Sequence, residues 1–401
     1  MKGFNKLLLV SAVLSAALSQ VSAYKVIDED DKVVDVYGSV RGYVGYGAAA
    51  AGVDTLNNGS TTSSIGYGPY GGAFYGLQTN SRLGVKAKVG NFQAQTELGL
   101  SETDGFRQMW GSYTFGSAGT LLFGKADSPS VAKSSFSSDV SNTDQGHQGF
   151  SGPNTANRRF QVTYSIAGLS IGLVSDQPTV IDAQVQRGET IPRIAANYNY
   201  QNEDKTLDFQ VGGAYKYFNK GSLGLGDDGL AKGRFLNGSG SAFHIFAALK
   251  SQAMDKRLFF SGMLHYGVNG DLYNEQATKF NDGGYKHSDL ITSNMSVASN
   301  VHRAGIYAES GYQFSDMLSG VLGLGYQYTS VISSISNQKT AAAQTYMVMA
   351  QLPIKFDKGF RLTPQIGYYG GVLGQDSDTS NASTIEVKHG LIAFVQARYD
   401  F

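Results

Sequence analysis

Apolar and polar residues alternate along most of this chain with a period of two. In HGLIAFVQARYDF, the last stretch of the sequence, Leu391, Ala393 and Val395 fall on one side and Gln396 and Arg398 on the other. This period predicts a β-strand with one apolar face, because successive side chains of a strand point to opposite sides. The same alternation recurs in VDVYGSVRGYVGYG, SRLGVKAKV, NFQAQTELGL and LDFQVGGAYKY. The pattern therefore predicts an all-β protein.

By this rule we predict sixteen strands, most of them near the 9–11 residues that a tilted strand needs to cross a bilayer. Their spans are 34–46, 81–89, 91–100, 107–115, 119–125, 158–166, 169–175, 191–200, 206–217, 241–250, 257–267, 302–314, 317–330, 343–355, 360–371 and 388–401. The segment 286–297 is open to interpretation as a further strand.

The connections between these strands alternate between long and short. The long ones are 47–80, 126–157, 176–190, 218–240, 268–301, 331–342 and 372–387, and 101–106 is a short exception among them. All short connections then fall at one end of the strands. This asymmetry predicts a sixteen-stranded antiparallel transmembrane β-barrel with short periplasmic turns and long external loops, since only a closed barrel leaves no unpaired strand edge in lipid. A soluble β-sandwich or propeller is the alternative, and the charges that recur on the polar faces disfavour it.

Residues 1–23 have the features of a secretory signal peptide. Lys2 and Lys6 form a basic start, an apolar run follows from Leu7 to Leu18, and small residues precede a cleavage site after Ala23. A membrane-anchoring helix is the alternative, but it needs roughly 20 apolar residues. We therefore expect residues 1–23 to be removed and residues 24–401 to form one barrel domain, because no linker or composition shift divides the chain.

Charge and residue usage disfavour several other functions. The chain has 32 basic and 32 acidic residues, and removal of Lys2 and Lys6 leaves 30 basic residues. A chain this close to neutral lacks the excess of positive charge that is typical of nucleic-acid-binding proteins. Cysteine is absent, so no disulfides can rigidify the protein. The six histidines are scattered without metal-ligand spacing, and we find no paired nucleophile and base. We expect no catalytic residues, no metal and no cofactor.

Several segments resemble the trimeric general porins of Gram-negative bacteria. The similarity is densest between Val34 and about Val174, in DKVVDVYGSVRG, TNSRLGVKAKVG, RQMWGSYTFGSAGTLLFGKADSP and NRRFQVTYSIAGLSIGLV. The terminal aromatic of ARYDF is similar to the carboxyl-terminal assembly signal of that family. The resemblance implies a homotrimer of sixteen-stranded barrels, each with its own water-filled pore. It also implies that the third long loop folds into the pore and narrows it.

The resemblance further implies that a ladder of basic residues faces acids of the third loop across the pore. The basic residues on the polar faces are Arg41, Arg82, Lys86, Arg107 and Arg159. The acids of the loop are Asp127, Asp139 and Asp144. Arg82, Arg107 and Arg159 match the positions of the family, whereas the family often has a basic residue at the position of Ser39, two residues before Arg41. Opposed charges across a narrow aqueous gap produce a transverse field that orients polar solutes; the alternative is that each cation is merely solvated in a wide lumen.

Some residues are predicted to face outward near the external end of the barrel. Alternation places Lys125 there, and on the preceding strand it gives the outer face Gln108, Trp110, Ser112 and Thr114. In the family this neighbourhood contacts the adjacent subunit, so we expect Lys125 to pair with Glu102 or Asp104 of a neighbour. Contact of Lys125 with lipid headgroups is the alternative. Polar side chains on this face are costly against lipid but acceptable against another barrel.

The carboxyl-terminal aromatics are predicted to lie at the periplasmic membrane interface. Tyr399 and Phe401 share the apolar face of the last strand, where aromatic girdles occur. The resemblance implies that they form the signal read by the barrel-assembly machinery.

The expected function is that of a porin, a passive diffusion channel for small hydrophilic solutes and ions across the outer membrane, in contact with outer-membrane lipid and lipopolysaccharide. One alternative is a substrate-selective porin for sugars or anions. Sugar channels use a lane of aromatics, and Tyr43, Tyr307 and Tyr369 have lumen parity. The other alternative is a barrel adhesin or receptor that acts through its external loops, which polar inner faces disfavour.

Overall fold

The computed structural model describes residues 24–57, 60–64, 70–78, 80–100, 105–138, 140, 158–175, 192–218, 239–273, 299–333, 339–356, 359–376 and 382–401. Residues 1–23 and the segment 286–297 lie outside these ranges. The strands are β1 (Tyr24–Glu29), β2 (Lys32–Asn57), β3 (Ser60–Ser64), β4 (Tyr70–Leu77), β5 (Arg82–Val89), β6 (Phe92–Gly99), β7 (Phe106–Thr114), β8 (Thr120–Ala126), β9 (Arg159–Ile166), β10 (Leu169–Val174), β11 (Arg193–Gln201), β12 (Leu207–Phe218), β13 (Gly240–Ala253), β14 (Leu258–Val268), β15 (Ser299–Gln313), β16 (Ser319–Ser333), β17 (Lys339–Gln351), β18 (Ile354–Lys355), β19 (Phe360–Asp376) and β20 (Ala382–Asp400). Short 3₁₀ turns occupy Gly116–Ala118, Ser134–Phe136 and Gly270–Tyr273.

No helix among the described residues is long and apolar enough to cross a membrane.

The strands form one closed antiparallel barrel with sixteen strand positions in its wall, and we call each position a stave. Strand β2 is the first stave, β4 and β5 share the second, β6 to β17 follow singly, and β19 and β20 complete the wall. Closure comes from β20, which pairs with β2 from Ser39↔Asp400 to Asn57↔Ala382. The sixteen predicted strands are thus confirmed.

Short turns join the staves at one end of the barrel. Between β9 and β10 the turn is Ala167–Gly168, and both residues have positive φ (49° and 85°). Two successive left-handed residues match the twist of flanking strands in a two-residue hairpin, which is why a glycine stands here. Strands β1, β3 and β4 were not predicted; β1 forms a hairpin with the start of β2, and β3 pairs with its end.

The two faces of the wall differ as alternation predicts. The outer face exposes large apolar side chains, among them Val44 (60%), Leu322 (68%) and Ile245 (58%). The inner face carries polar side chains such as Gln161 and Gln210, each 1% exposed. An apolar exterior and a polar interior are the two requirements of a barrel placed in lipid.

A β-bulge between β6 and β7 corrects one prediction. Glu97 pairs with Gln108 and Leu98 pairs with Phe106, so Arg107 is an extra residue in β7. One extra residue reverses the parity of everything after it. Cross-strand partners share a face, and the partner of Trp110 is Gln95, which lines the lumen. Trp110 therefore faces inward.

The same bulge turns the other polar residues of β7 inward. Gln108 lines the lumen and accepts a hydrogen bond from Trp110 Nε1 (3.0 Å), whereas Met109 and Tyr113 are each 46% exposed on the outside. The predicted outward polar face of this strand is wrong, and it gives no argument for a subunit interface.

The last residue belongs to the seam of the barrel. Gly38 N–H donates to Phe401 O (2.7 Å) and Phe401 N–H donates to Gly38 O (3.0 Å). The ring of Phe401 is 7% exposed and covers Gly38, where a Cβ would approach the ring to 2.3 Å. Glycine at this position therefore leaves the space that the terminal ring fills.

Candidate functional site

The barrel lumen contains a polar cavity of about 650 Å³. It is lined by inward side chains of β2 and β5 to β12 and by the segment after β8. The charged residues of this lining are Arg82, Lys86, Glu97, Asp127, Lys133 and Arg158. Amides and hydroxyls supply most of the remaining lining, which suits water and hydrophilic solutes.

A cluster around Glu97 occupies one wall of the cavity. Arg107 Nε donates to Glu97 Oε1 (2.9 Å), and Arg82 Nε lies 3.5 Å from Glu97 Oε2. Tyr37 Oη donates to the same Oε2 atom (2.9 Å) and accepts from Gln95 Nε2 (2.7 Å). We call Tyr37, Arg82, Gln95, Glu97 and Arg107 the Glu97 cluster. It pairs two predicted ladder arginines with an acid of the wall.

Tyr37 lies flat across the neighbouring strand because of a glycine. A Cβ on Gly84 would lie 2.3 Å from the Tyr37 ring. Lys86 Nζ is 4.9 Å from the centroid of the Tyr37 ring, a cation–π contact. Lys86, the third predicted basic residue, thus adjoins the Glu97 cluster.

A second ion pair stands where the chain leaves β8 and enters β9. Arg158 Nε is 2.9 Å from Asp127 Oδ1, with the Arg158 side chain 9% and the Asp127 side chain 40% exposed. Strict alternation gives Arg159 the lumen face, but Arg158 is the residue that lines the cavity. Arg159 lies beside it and donates from Nη1 to the Arg158 carbonyl (3.4 Å).

Arg41 belongs to a network near the seam rather than to the cavity lining. Its Nε donates to Ser39 Oγ (2.8 Å), and Ser39 Oγ donates to Asp400 Oδ1 (2.6 Å). Arg398 Nε donates to both carboxylate oxygens of Asp400 (2.9 and 2.7 Å). Arg41 is 3% exposed. It shares a face with Ser39 as predicted, and its charge is adjacent to Asp400.

Residues 127–138 and 140, which follow β8, run along the inner wall; we call them the inner loop. Its backbone is held by side chains of the strands it passes. Asn197 Nδ2 donates to Pro129 O (2.6 Å), and Gln210 bonds both Val131 O (3.2 Å) and the N–H of Lys133 (2.9 Å). A carboxamide suits this role because it donates and accepts at once.

The second half of the inner loop is held by later strands. Ser261 Oγ donates to Phe136 O (2.7 Å), and Glu309 Oε2 accepts from both the N–H and the hydroxyl of Ser138 (3.0 and 2.8 Å). Gln365 Oε1 accepts from the N–H of Val140 (3.1 Å). The inner loop therefore follows the wall from β8 to β19.

Phe136 fixes the inner loop by packing. Its side chain is 0% exposed and lies in a cluster with Ala132, Phe246, Ala248 and Met263. Burial of a phenylalanine contributes about 1.5–3 kcal/mol. This contact anchors the middle of the loop to β13 and β14.

The far side of the lumen contains an apolar cluster among polar side chains such as Gln327 and Thr345. Its cluster comprises Val140, Val301, Tyr307, Val321, Val331, Ala343, Met347, Met349, Tyr369, Ile392 and Phe394. Tyr307 and Tyr369 face inward but are 0% and 2% exposed. Neighbouring side chains cover both rings, so the prediction that these two tyrosines form an aromatic lane along the pore is wrong. Tyr43 is half-buried beside Phe74, with ring centroids 5.8 Å apart.

The remaining candidates lie away from the cavity or outside the described residues. Lys125 sits at the end of β8 and donates to Phe106 O (2.5 Å). Tyr399 contacts Phe401, with ring centroids 6.1 Å apart. Asp139, Asp144, Glu102 and Asp104 lie outside the described ranges.

Alternation places Glu97 on the polar, inward face, opposite Leu98 in parity. The sequence interpretation did not name Glu97, Tyr37 or Arg158 as site residues. The pairing of Glu97 with Arg107 depends on the bulge, which leaves no mark in the period of the sequence.

This chain has the fold of the outer-membrane porins and channels. The outer membrane channel DcaP of Acinetobacter baumannii matches with a TM-score of 0.58 and 14% identity, over 95% of this chain and 100% of that one. OmpF of Salmonella typhi, in complex with daunomycin, matches with a TM-score of 0.51 and 12% identity, over 94% and 100%. An anion-selective porin from Comamonas acidovorans matches with a TM-score of 0.50 and 14% identity, over 92% and 100%. No protein-family model matches the chain, and no curated protein does.

Proposed function

We propose that this protein is an outer-membrane porin, a passive diffusion channel for small hydrophilic solutes and ions. The observation that carries the proposal is the polar cavity of about 650 Å³ inside a closed wall whose outer face is apolar. Side chains of both charges line this cavity, so water and polar solutes are accommodated there at low cost. The structural similarity to channels and porins supports the same function.

We propose that solutes are selected in the space between the Glu97 cluster and the inner loop. Arg82, Lys86 and Arg158 contribute positive charge to it, and the exposed carboxylate of Asp127 contributes negative charge. Solutes are sorted there by size and polarity rather than by a dedicated binding site. The aromatic lane that a sugar-selective porin would use is not supported, since Tyr307 and Tyr369 are covered.

The proposed setting is the Gram-negative outer membrane, with the short turns in the periplasm and residues 1–23 removed during export. We propose a homotrimer, in which Lys125, at the end of β8 away from the short turns, is near the neighbouring subunit. The barrel-assembly machinery would read Tyr399 and Phe401, and lipid with lipopolysaccharide would cover the remaining outer face.

Single-channel recording tests this function. Purified, folded protein in a planar bilayer should give large ohmic current steps in KCl, and a trimer should close in three steps. Current blocked by micromolar sugar would replace the general porin with a selective one. Absence of current from protein shown to be folded would contradict the proposal and favour the adhesin or receptor alternative.

A further inference from the structure

We infer that a second segment of the chain, the turn Gly270–Tyr273 after β14, folds into the lumen and positions the inner loop there through Tyr273 and His244. This inference rests on the proposed channel function. Neither Tyr273 nor His244 lines the polar cavity. Both are positioning residues, because they act on the solute path through the inner loop.

Asn269 anchors this turn at the end of the wall opposite the short turns. Its N–H donates to Val301 O (2.7 Å), and its Oδ1 accepts from the N–H of Val301 (2.9 Å). Asn269 has a left-handed backbone (φ 57°), which asparagine adopts more readily than most residues. The chain therefore leaves β14 in a tight turn that is bonded to β15.

Tyr273 fills a recess in the inner face of the wall. It is 2% exposed and lies in one apolar cluster with Ala195, Ala214 and Ala242, which stand on three successive staves. Small side chains on neighbouring staves leave room for a ring. The guanidinium carbon of Arg193 lies 4.9 Å from the ring centroid, a cation–π contact. The ring is thus fixed inside the barrel.

His244, on β13, joins Tyr273 to the inner loop. Its Nε2 is 2.8 Å from Ser130 O, and its Nδ1 is 2.8 Å from Tyr273 Oη. A carbonyl oxygen has no proton to donate, so Nε2 is the donor; in a neutral imidazole, Nδ1 then accepts from the tyrosine hydroxyl. The proton donors therefore run from Tyr273 to His244 and from His244 to Ser130.

This bridge holds the inner loop against the wall beside the cavity. Ser130 is 0% exposed, whereas its neighbours Pro129 and Val131 line the cavity. At this point the loop has β13 on one side and the cavity on the other, so a loop released from His244 moves into the cavity. The carbonyls of Pro129 and Val131 keep their own hydrogen bonds to the wall. Loss of the bridge should therefore loosen the loop without detaching it.

Tyr273→Phe tests the bridge, because it removes the donor hydroxyl and keeps the ring. In single-channel recordings, brief partial closures should become roughly two- to tenfold more frequent, the factor that corresponds to the loss of one hydrogen bond. Tyr215→Phe is the matched control: it removes a hydroxyl that bonds Ser241 on the outer face (2.9 Å). This control should close as rarely as the wild type, and an equal rise in both variants overturns the inference.

Two variants of His244 test its contact with Ser130. Glutamine carries an N–H near the position of Nε2, whereas the side chain of asparagine is too short to reach Ser130 O. His244→Asn should therefore close more often than His244→Gln. Equal closure rates in the two variants would show that this contact does not hold the loop.

Solute size separates positioning from a general loss of stability. In liposome swelling, the rate for the trisaccharide raffinose relative to that for arabinose should fall in Tyr273→Phe and His244→Asn, because the displaced loop occupies part of the cavity. A barrel that is only less stable would melt earlier on a semi-native gel with an unchanged ratio. A wild-type ratio in both conducting variants overturns this inference alone; wild-type protein that conducts nothing overturns the proposed function.

Discussion

Phe401 shows how one residue can complete a barrel. Its backbone pairs with Gly38 on both sides of the seam, and its ring occupies the surface that a glycine leaves open. Sequence alone indicates an apolar terminal strand. The matching glycine, more than 360 positions earlier in the chain, has no local pattern that points to it.

We expect Gly38→Ala to destabilise the barrel by about 1–2 kcal/mol, because the new methyl group displaces the terminal ring from its site. Gly42→Ala is the matched control on the same strand, because the atom nearest to a Cβ at that position would be Gly76 O at 3.7 Å. The measurement is the temperature at which the folded band converts on a semi-native gel. Equal midpoints for the two variants would contradict the role of the ring.

Where no bulge interrupts a strand, a period of two predicts the side on which a residue lies, but it does not predict the residue's cross-strand partner or which side chains cover it. Arg82 and Arg107 were predicted inward and lie there, whereas their pairing with Glu97 was not predicted. Tyr307 and Tyr369 were also placed on the correct side, yet packing among distant strands covers them. Such contacts depend on register between strands far apart in sequence, which no local pattern contains.

Among the elements, the strands were the most predictable and their irregularities the least. All sixteen staves follow from alternation and turn spacing. The bulge at Arg107 does not, because one extra residue looks like a continuing strand in sequence. Strand β1 was missed since YKVIDE is short and its residues are mostly exposed.

The bulge predicts an unusual labelling pattern in β7. The chain has no cysteine, so single cysteines can be introduced without further changes. Trp110→Cys should react with a membrane-impermeant thiol reagent from the lumen, and Met109→Cys should be protected by lipid. The opposite pattern would restore unbroken alternation through β7 and contradict the register of β6 with β7.

The packing of Phe136 leads to a prediction about the motion of the inner loop. Phe136→Ala should leave a cavity and cost about 3–5 kcal/mol locally, so that the loop moves more within the lumen. Open-channel current noise should rise, while Ser135→Ala, which changes an exposed neighbour, should leave it as in the wild type. Quiet current from Phe136→Ala would show that the hydrogen bonds hold the loop without the anchor.

Over the described part of the molecule, the polar cavity and the main apolar cluster lie on different sides of the lumen. The cavity adjoins β5 to β12, and the apolar cluster fills the side formed mainly by β15 to β20. In the proposed channel, the path through this cavity passes the Glu97 cluster. Ions would therefore pass close to charges that are paired, such as Arg107 with Glu97 and Arg158 with Asp127.

Local pairing predicts how conductance depends on salt. Paired charges concentrate few ions, so single-channel conductance should rise in proportion to KCl from about 0.1 to 1 M, where the Debye length falls from roughly 10 to 3 Å. Recordings across this range in the wild-type protein provide the measurement. A plateau at low salt would reveal an uncompensated charge in the path.

The inner loop has a consequence for the order of folding. It precedes the strands that hold it: Ser130 bonds a side chain 114 positions later, and Val140 one 225 positions later. The side chains that hold the loop come together only when these strands pair in register, so we expect the wall to form first and the loop to dock afterwards. A slip of one residue would turn the holding side chains outward and leave the loop without partners. We therefore expect the loop to dock only on a wall whose strands are paired in the correct register.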